Sequence, residues 1–468
     1  MPSADARFDL TVIGSGPGGY VAAIRAAQLG LKTAVVEMAP VVGGTCLNWG
    51  CIPTKALLQT AEVLEGTRHA GKFGVKVQGA ELDVAAAQKF KDKVVLSNTR
   101  GVEYLFKKNG ITLLPGRGRL AGRGRVEVTP ASGAATVVES KTVVLATGSV
   151  IRGLPGVEFD GERIINSDHA LGLQAVPASM IVLGAGAVGV EFASIYASFG
   201  SKVTLVELLP RLLPIEDAAL GAELAKAFAK RGIGIHVDTR VERVRREDKR
   251  VVVEASKAGA LLTLEAEMLL VAIGRRPLTE NLGLEGTGVK LDRGFIEVDS
   301  MMRTGEPDVY AIGDIVKTPA LAHVASHEGI VAVEHAAGKN PRAVNYDRIP
   351  SCTYCQPEVA SIGLSEEEAR KREYDVVVGS FPFAASGKAK ILDDTRGFVR
   401  IVAEKKYDQV LGVQIIGPHA TELLSEATAA LALEATTESI LEAVHAHPTL
   451  SEAMGEAALA VHGRTIHI

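Results

Sequence analysis

The chain has few cysteines and few aromatic residues. Its 468 residues include four cysteines and one tryptophan, and aromatic residues make up only 4% of the total. So few cysteines argue against a small secreted scaffold held together by disulfides, and a chain of this length buries enough apolar surface to fold without them. The length predicts about three domains, each with its own core.

An excess of charge of one sign is also lacking. Lys and Arg number 51 against 55 Asp and Glu, so the net charge of -4 provides no basic surface for nucleic acid or an anionic membrane. Residues 1–10 are polar and unlike a signal peptide, which predicts a cytoplasmic protein, or a mitochondrial matrix protein if a transit peptide was removed. The long uncharged run 171–190 contains proline and four glycines. It predicts a loop entering a buried parallel strand rather than a membrane span.

Two cysteines lie close together in the glycine-rich stretch GGTCLNWGC, residues 43–51. Closing the short loop between Cys46 and Cys51 with a disulfide stabilises a fold by only about 2 kcal/mol, so a structural role is the weaker interpretation. We predict a redox-active disulfide. Two free, buried thiols are the alternative that the spacing alone leaves open.

An internal repeat relates segment 10–37 to segment 180–207. Each copy has an apolar strand, a GxGxxG turn, an alanine-rich helix and a glutamate 23 residues after the first glycine. The matching positions are Gly14, Gly16, Gly19 and Glu37 in the first copy, and Gly184, Gly186, Gly189 and Glu207 in the second.

The repeat predicts two dinucleotide-binding folds. The first glycine allows a tight turn, the second lets a pyrophosphate approach the backbone, and the third lets the helix pack on the strand. The glutamate accepts hydrogen bonds from ribose hydroxyls. Glu207 would also repel a 2′-phosphate, which favours NAD over NADP at the second site, although Arg211 nearby weakens that preference.

The pattern of strands and turns predicts an α/β protein with two Rossmann-like three-layer dinucleotide-binding domains and an α+β C-terminal domain. The predicted bounds are 1–150 and 151–278 for the nucleotide domains, 279–348 for a region completing the first nucleotide site, and 349–468 for an interface domain. Buried strands end at Thr147-Gly148, at Gly274 and at Asp314, whose carboxylate is placed to reach sugar or ribityl hydroxyls.

Together, the motif GGTCLNWGCIPTK, the twin nucleotide folds and the string HAHPTLSE at 445–452 resemble the pyridine nucleotide-disulfide oxidoreductases. The resemblance extends from Phe8 to about Gly463. It implies FAD in the first fold, NAD in the second and a homodimer joined through the C-terminal domain. It further implies the branch of the family that oxidises dihydrolipoyl groups to lipoyl groups with NAD as acceptor.

The resemblance also implies roles for individual residues. Cys46 is implied to exchange with the substrate and Cys51 to lie against the flavin. His447 is implied to be the base and Glu452 the acid that orients it, both supplied by the other subunit of the dimer. Cofactor roles are implied for Lys55 and its partner Glu191 near the flavin N5, Asp314 on the ribityl chain, Ala322 at the pyrimidine edge, Thr147 and Gly148 in the FAD site, and Gly274 in the NAD site.

Partners are also implied by the resemblance. They are the lipoyl-bearing acyltransferase core of a 2-oxoacid dehydrogenase or the carrier protein of glycine cleavage, with no nucleic acid or membrane. One alternative is a related NAD(P)H-dependent reductase acting on glutathione or mercury; Glu207 argues against NADPH, and residues 463–468 lack the paired cysteines of a mercuric enzyme. Another is a non-catalytic flavoprotein subunit, which the conjunction of both cysteines with His447 and Glu452 disfavours.

Two further pairs of residues have a spacing found in metal sites, but each lacks the other ligands of such a site. Cys352 and Cys355 have C-x-x-C spacing without a second cysteine pair, and we predict a structural role. His323 and His327 share a helical face but lack the glutamate of an HExxH motif. We therefore predict no metal site.

Overall fold

Helices and strands alternate along the chain, and the computed structural model describes residues 6–468. In that range the helices α1 to α13 are Pro17–Gln28, Gly44–Asn48, Cys51–Arg68, Val84–Lys108, Ser167–Leu171, Ala187–Phe199, Ala218–Lys230, Ala322–Ala336, Glu366–Lys371, Gly387–Ile391, Ala420–Ala432, Thr437–Glu442 and Glu452–Val461. None of these described helices has the length and apolar character needed to cross a bilayer.

The strands form sheets of both parallel and antiparallel type. Over the same residues, β1 to β24 are Arg7–Ile13, Thr33–Glu37, Thr112–Pro115, Arg117–Leu120, Arg125–Thr129, Thr136–Leu145, Ser149–Ile151, Ile164–Ile165, Ser179–Leu183, Lys202–Val206, Gly234–His236, Arg240–Arg246, Val251–Lys257, Ala260–Ala266, Met268–Val271, Arg275–Pro277, Leu291–Asp292, Phe295–Ile296, Val309–Ala311, Ser351–Thr353, Glu358–Gly363, Val376–Pro382, Phe398–Glu404 and Val410–Gly417. Each half of the internal repeat supplies two parallel strands and the helix between them.

The chain divides into two compact units. The first takes the chain up to Ala56, Ala85–Arg152 and Arg275–Tyr346, and the second takes Leu57–Val84, Gly153–Gly274 and Asp347–Ile468. One dinucleotide fold lies in each unit, and the second unit also holds the C-terminal sheet. The four domain bounds given above stay predictions.

A seven-stranded sheet organises the first unit. Strands β3, β2, β1 and β6 are parallel in that order, β19 pairs in parallel with β6, and β5 and β4 continue the sheet in antiparallel pairing. Strand β2 is buried along its whole length, as expected where helices cover both faces of a parallel sheet. Helix α1 packs closely on α8, because Gly18 and Gly329 bring no side chain to the contact.

A five-stranded parallel sheet, in the order β11-β10-β9-β15-β8, carries the second dinucleotide fold. Strand β9 comes from the uncharged run 171–190, and four of its five residues are buried, which confirms the prediction of a strand there. Phe192 of α6 and Phe228 of α7 are fully buried in the same core. The sheet therefore depends on helices packed against it.

The C-terminal part of the second unit is built on an antiparallel sheet in the order β20-β21-β24-β23-β22. All eight residues of β24 are buried, and Leu424 of α11 and Met454 of α13 belong to the core that covers it. Strands β12, β13 and β14 form a separate antiparallel sheet. This architecture confirms the predicted fold class, with two Rossmann-like folds and an α+β C-terminal region.

Replacement of Phe228 by alanine is expected to destabilise the second unit. Phe228 is fully buried, and removing its ring leaves a cavity that costs about 3–5 kcal/mol. Leu261→Ala serves as the control, because Leu261 is 87% exposed and its loss should change stability by less than about 0.5 kcal/mol. Urea unfolding followed by circular dichroism measures both; equal midpoints for the two variants would contradict the packing described.

Candidate active site

The first glycine turn leaves a helix terminus open. Gly14 has φ +106°, and a Cβ there would lie 2.3 Å from the Ala146 carbonyl oxygen. A Cβ on Gly19 would lie 2.0 Å from the Gly14 oxygen, so both positions require glycine. Gly16 precedes α1, makes no side-chain cap and has nothing within 4 Å of its absent Cβ. The N-terminal N–H groups of α1 are thus accessible to a phosphate.

Glu37, at the end of β2, is bound to the turn. Its Oε2 accepts hydrogen bonds from the Ser15 backbone N–H at 2.9 Å and hydroxyl at 2.6 Å, and its Oε1 accepts from the Ala39 N–H at 2.8 Å. Ser15 Oγ in turn accepts from the Gly43 N–H at 3.1 Å. These bonds fix the carboxylate and leave it lone pairs for a ribose diol.

Asp314 lies in a hydrogen-bonded network after β19. The Ser149 hydroxyl donates to its Oδ2 at 2.5 Å, and Arg275 Nε donates to the Ser149 oxygen at 2.7 Å. Next to it, the Gly313 N–H donates to the buried Glu328 at 2.7 Å, and burial raises the pKa of that carboxyl. Asp314 is therefore held by its neighbours in one orientation.

The remaining first-unit residues implied to bind FAD flank this network. The Thr147 hydroxyl donates to the Leu278 carbonyl at 2.7 Å, and Gly148, at φ +71°, accepts from the Leu278 N–H at 2.9 Å. Ala322 is the first residue of α8. All of them lie in the same unit as Asp314 and the first glycine turn.

The two cysteines of the redox pair interact directly. Cys46 lies in the short helix α2, and Cys51 is the first residue of the 18-residue helix α3. A hydrogen bond with Cys51 raises the pKa of the Cys46 thiol strongly, burial raises it further, and the charge of Lys55 opposes the rise. Ionisation of Cys46 is therefore unfavourable while it is bonded to Cys51.

Cys46 lies on the wall of a cavity of about 700 Å³ in the first unit. The other lining residues come from α1, α2, α3, α4 and α8: Pro17, Tyr20, Leu47, Ile52, Ser97, Asn98, Gly101, Val102, Tyr104, Leu105, Ala322, His323 and Ser326. Apart from His323, none of these lining residues has an ionisable group that is charged near neutral pH. The cavity thus presents a thiol to an apolar or neutral polar ligand.

The second glycine turn repeats the geometry of the first. Gly184 has φ +102°, and a Cβ on Gly189 would lie 1.9 Å from the Gly184 carbonyl oxygen. Gly186 precedes α6 with no side-chain cap and open space at its Cβ position. Glu207 accepts from the Ala185 N–H at 2.7 Å and the Leu209 N–H at 2.8 Å. Gly274, at φ +107°, follows β15 in the same unit.

Arg211 donates to the Pro214 carbonyl oxygen at 3.3 Å and lies 3.6 Å from Glu367.

Glu191, buried in α6, accepts from the Tyr354 N–H at 2.9 Å, and its pairing with Lys55 stays a prediction. Burial raises the pKa of the Cys355 thiol, which donates to the Pro357 carbonyl oxygen. An inert thiol of this kind supports a structural role for Cys355.

His447 and Glu452 form a hydrogen-bonded pair in the second unit. His447 Nδ1 lies 2.8 Å from Glu452 Oε1, and Glu452 Oε2 accepts from the Thr449 N–H at 2.8 Å. Because the ionised carboxylate accepts a hydrogen bond from Nδ1–H, the neutral ring has its lone pair on Nε2. The His447 side chain is 78% exposed, so Nε2 is accessible to a reacting group.

Two family models match the chain. The pyridine nucleotide-disulphide oxidoreductase model covers residues 8–329, and the dimerisation domain of the same family covers residues 349–458. The chain belongs to this family. Family membership confirms the resemblance found in the sequence, and the second match places His447 and Glu452 within the family's dimerisation domain.

Similar proteins extend over nearly the whole chain. The dihydrolipoyl dehydrogenase of Bacillus subtilis is 44% identical, covering 98% of this chain and 99% of its own, and that of Chlorobaculum tepidum is 47% identical, covering 98% of each. Among solved structures, LpdA of Mycobacterium tuberculosis superposes with a TM-score of 0.90 at 28% identity, covering 97% of this chain and 99% of its own.

Members of this family use FAD and NAD, the two cofactors that the sequence predicted. The residues present fit both groups, because each fold offers an uncapped helix N-terminus beside a side-chain-free glycine and a glutamate fixed by backbone donors. The individual ligand roles stay predictions. Within residues 6–468, no cluster of three His, Cys, Asp or Glu residues is arranged to hold a metal ion.

Several residues of the site belong to none of the sequence motifs. Ser149 and Arg275 orient Asp314, Ser15 joins Glu37 to the redox segment, and Tyr20 lies on the cavity wall with Cys46. The sequence contains a signal for two of these residues, Ser149 and Arg275. Ser149 directly follows the turn at Thr147-Gly148, and Arg275 directly follows Gly274, so each occupies the corresponding position after a buried strand.

Gly186→Ala is expected to leave the fold intact and weaken NAD binding at least tenfold. Its Cβ meets no protein atom and instead occupies the space where a pyrophosphate approaches α6. Gly189→Ala is the matched comparison, because its Cβ would clash with backbone and lower the melting temperature. Calorimetric titration with NAD and thermal melting test the pair. Unchanged NAD affinity in a well-folded Gly186→Ala protein would contradict the assignment.

Proposed function

We propose that the chain oxidises protein-bound dihydrolipoyl groups to lipoyl groups and reduces NAD to NADH, through a Cys46–Cys51 disulfide and bound FAD. The observation that carries the proposal is the half-buried Cys46 thiol, which is hydrogen-bonded to Cys51 and lies on the wall of the cavity. Relatives with 44–47% identity over nearly the full length are dihydrolipoyl dehydrogenases, which supports this substrate class.

The cavity favours dihydrolipoamide over glutathione. A dihydrolipoyl arm is an apolar chain ending in two thiols, and its amide is neutral. Glutathione carries carboxylates and an ammonium group, and burying such charges without partners is unfavourable. The lining offers only His323 as a potentially charged group. The chain's own residues therefore disfavour the alternative of a glutathione reductase.

The His447–Glu452 pair is suited to remove the first proton. A thiolate attacks a disulfide far faster than a thiol does, so a base must ionise the substrate near neutral pH. His447 accepts that proton at Nε2, and Glu452 keeps the ring oriented and stabilises the imidazolium. The carboxylate itself does not take the proton.

The exchange then proceeds between the substrate sulfur atoms and those of Cys46 and Cys51. The substrate thiolate attacks Cys46 Sγ, the Cys46–Cys51 bond breaks, and Cys51 leaves as a thiolate. The second substrate thiol loses its proton and attacks the mixed disulfide, which closes the lipoyl ring and releases Cys46 as the reduced thiol. FAD, which Gly16 and Glu37 would hold, would carry the two electrons of the reduced pair as a hydride to NAD, which Gly186 and Glu207 would hold. The net products are one disulfide, NADH and one proton.

The active site is proposed to be shared across a homodimer. His447 and Glu452 belong to the dimerisation domain, whereas Cys46 and Cys51 belong to the part matched by the oxidoreductase model. The exposed Nε2 of His447 is available to the cavity of a second copy. The base of one protomer therefore serves the disulfide of its partner.

The proposed substrate indicates which larger assembly the chain would join. A dihydrolipoyl group is attached to a carrier protein, so we propose docking to a lipoyl-bearing acyltransferase core or to the carrier of glycine cleavage. The cytoplasmic location expected from the sequence stays a prediction.

Cys46→Ser is expected to retain FAD and lose dithiol oxidation by at least a thousandfold, because serine cannot form the mixed disulfide. NADH formation from dihydrolipoamide and NAD measures the loss, and flavin absorbance confirms that the cofactor is retained. Cys352→Ser is the control and should keep activity. Wild-type protein that instead oxidises NADPH with glutathione disulfide would refute the substrate assignment.

Heterodimers test the shared site. Mixing inactive His447→Gln and Cys46→Ser protomers should give heterodimers with about a quarter to a half of the activity of the wild-type dimer. In each heterodimer, one of the two sites combines a native base with a native disulfide. Differently tagged protomers allow the heterodimer to be purified and assayed. A pure heterodimer that remains inactive would show that each site is built within one protomer.

A further inference from the structure

The guanidinium group of Arg275, the first residue of β16, joins two parts of the first unit. Its Nε donates to the Ser149 hydroxyl oxygen at 2.7 Å. One terminal nitrogen donates to the Ser149 carbonyl oxygen at 2.7 Å and to the Thr45 hydroxyl oxygen at 3.3 Å. Pairing of β16 with β7 brings Arg275 to Ser149, and all three residues lie in the first unit. One side chain therefore contacts two segments that are far apart in the sequence.

The Ser149 contact leads to the predicted flavin ligand Asp314. A serine hydroxyl has one proton to donate, and Arg275 donates to the Ser149 oxygen, so the Ser149 proton is directed to Asp314 Oδ2 at 2.5 Å. Ser149 is buried, and consecutive hydrogen bonds strengthen one another in such surroundings. Loss of the guanidinium group would release the Ser149 hydroxyl and thereby the Asp314 carboxylate.

The Thr45 contact leads to the segment that carries Cys46. Thr45 directly precedes Cys46 in α2, a helix of five residues whose N-cap, Gly43, provides no side-chain hydrogen bond. A helix this short makes few hydrogen bonds of its own, so its position depends on contacts with the rest of the fold. Arg275 supplies one such contact from a distant strand. A shift of α2 would displace the Cys46 sulfur from its place beside Cys51.

From this network we infer that Arg275 is a positioning residue for the proposed reaction, which holds the Cys46 helix and the Asp314 carboxylate aligned with each other. The electrons of the reduced cysteine pair pass to a flavin that Asp314 would hold, so the transfer depends on the position of both ends of the network. The inference rests on the proposed function. It assigns a role to a residue outside both glycine turns and outside the cysteine motif.

Arg276 provides a matched control for Arg275. It is the next residue of β16, and successive side chains of a strand point to opposite faces. Arg276 is exposed and pairs with the exposed carboxylate of Glu280. Surface ion pairs contribute little to stability. The two arginines therefore share charge and local sequence, while only Arg275 contacts Ser149 and Thr45.

Retention of FAD tests the Asp314 side of the network. FAD-loaded dimers of the wild type, Ser149→Ala, Arg275→Met and Arg276→Met are washed by repeated ultrafiltration, and the released FAD is quantified by its absorbance. Ser149→Ala and Arg275→Met should lose FAD at least about fivefold faster than the wild type, because each leaves Asp314 without its oriented partner. Arg276→Met should retain FAD as the wild type does.

Reduction of the flavin tests the Thr45 side. The loaded protein is mixed anaerobically with saturating dihydrolipoamide in the absence of NAD, and the loss of oxidised-flavin absorbance is followed by stopped flow. Thr45→Val replaces the hydroxyl by a methyl group of similar size. It should retain FAD but slow flavin reduction by about threefold or more, because the bond that holds α2 to Arg275 is lost. A purely structural role would lower the melting temperature without slowing this step.

A double variant tests whether both effects pass through Arg275. Adding Thr45→Val to Arg275→Met should slow flavin reduction no further than Arg275→Met alone, because the bond is already absent. Additive effects of the two substitutions overturn the inference. Wild-type FAD retention or wild-type flavin reduction in a folded Arg275→Met protein also overturns it, as do equal changes in Arg276→Met.

Two further features keep the test decisive. Ser149→Ala and Thr45→Val remove single hydroxyl groups, so they test the two sides of the network even if Arg275→Met fails to fold; wild-type behaviour of both overturns the inference. Wild-type protein whose flavin is not reduced by dihydrolipoamide would instead overturn the proposed function. The comparison of FAD retention does not depend on that substrate, so the two failures are distinct.

Discussion

The Ser15 hydroxyl joins the first dinucleotide turn to the redox segment. It donates to Glu37 at 2.6 Å and accepts from the Gly43 N–H at 3.1 Å, and a Cβ on Gly44 would lie only 2.6 Å from Gly16 Cα. The helix that carries Cys46 is therefore fixed against the first glycine turn, the predicted dinucleotide site. In the second copy Ala185 replaces Ser15, and Glu207 binds backbone donors only. Two copies of one fold thus share the features that fit a nucleotide, while only the first also fixes the segment that carries Cys46.

The surroundings of Cys46 and of Cys51 act differently on a negative charge. Cys51 begins α3, whose N-terminal N–H groups favour a thiolate, and Lys55 lies one turn further along the same helix. Cys46 is hydrogen-bonded to Cys51, and its ionisation beside a Cys51 thiolate would bring two negative charges together. The surroundings therefore oppose a thiolate on both sulfur atoms at once, and Cys46 is the sulfur that lies on the cavity wall.

The sequence predicted the features that depend on residues close together in the chain. The glycine turns, the glutamates after β2 and β10 and the cysteine pair all follow from local spacing, as does the buried strand in residues 171–190. Ser149 and Arg275, in contrast, are 126 residues apart and meet only through pairing of β7 with β16. The cavity joins residues from five helices. Neither the Ser149–Arg275 contact nor the cavity could be inferred without knowing which distant segments pack together.

The proposed catalytic residues are divided between the two family domains, which links catalysis to the association of two protomers. His447 is oriented by Glu452 within its own domain, so the base is already formed in one protomer, with its Nε2 directed to solvent. The two cysteines and the cavity likewise lie within the first unit. Under the proposed shared site, neither part performs the reaction until a second copy binds, and the fraction of active sites follows the dimer concentration by mass action. The dimer interface is then a catalytic requirement, and a mutation that weakens association lowers activity without touching a reacting atom.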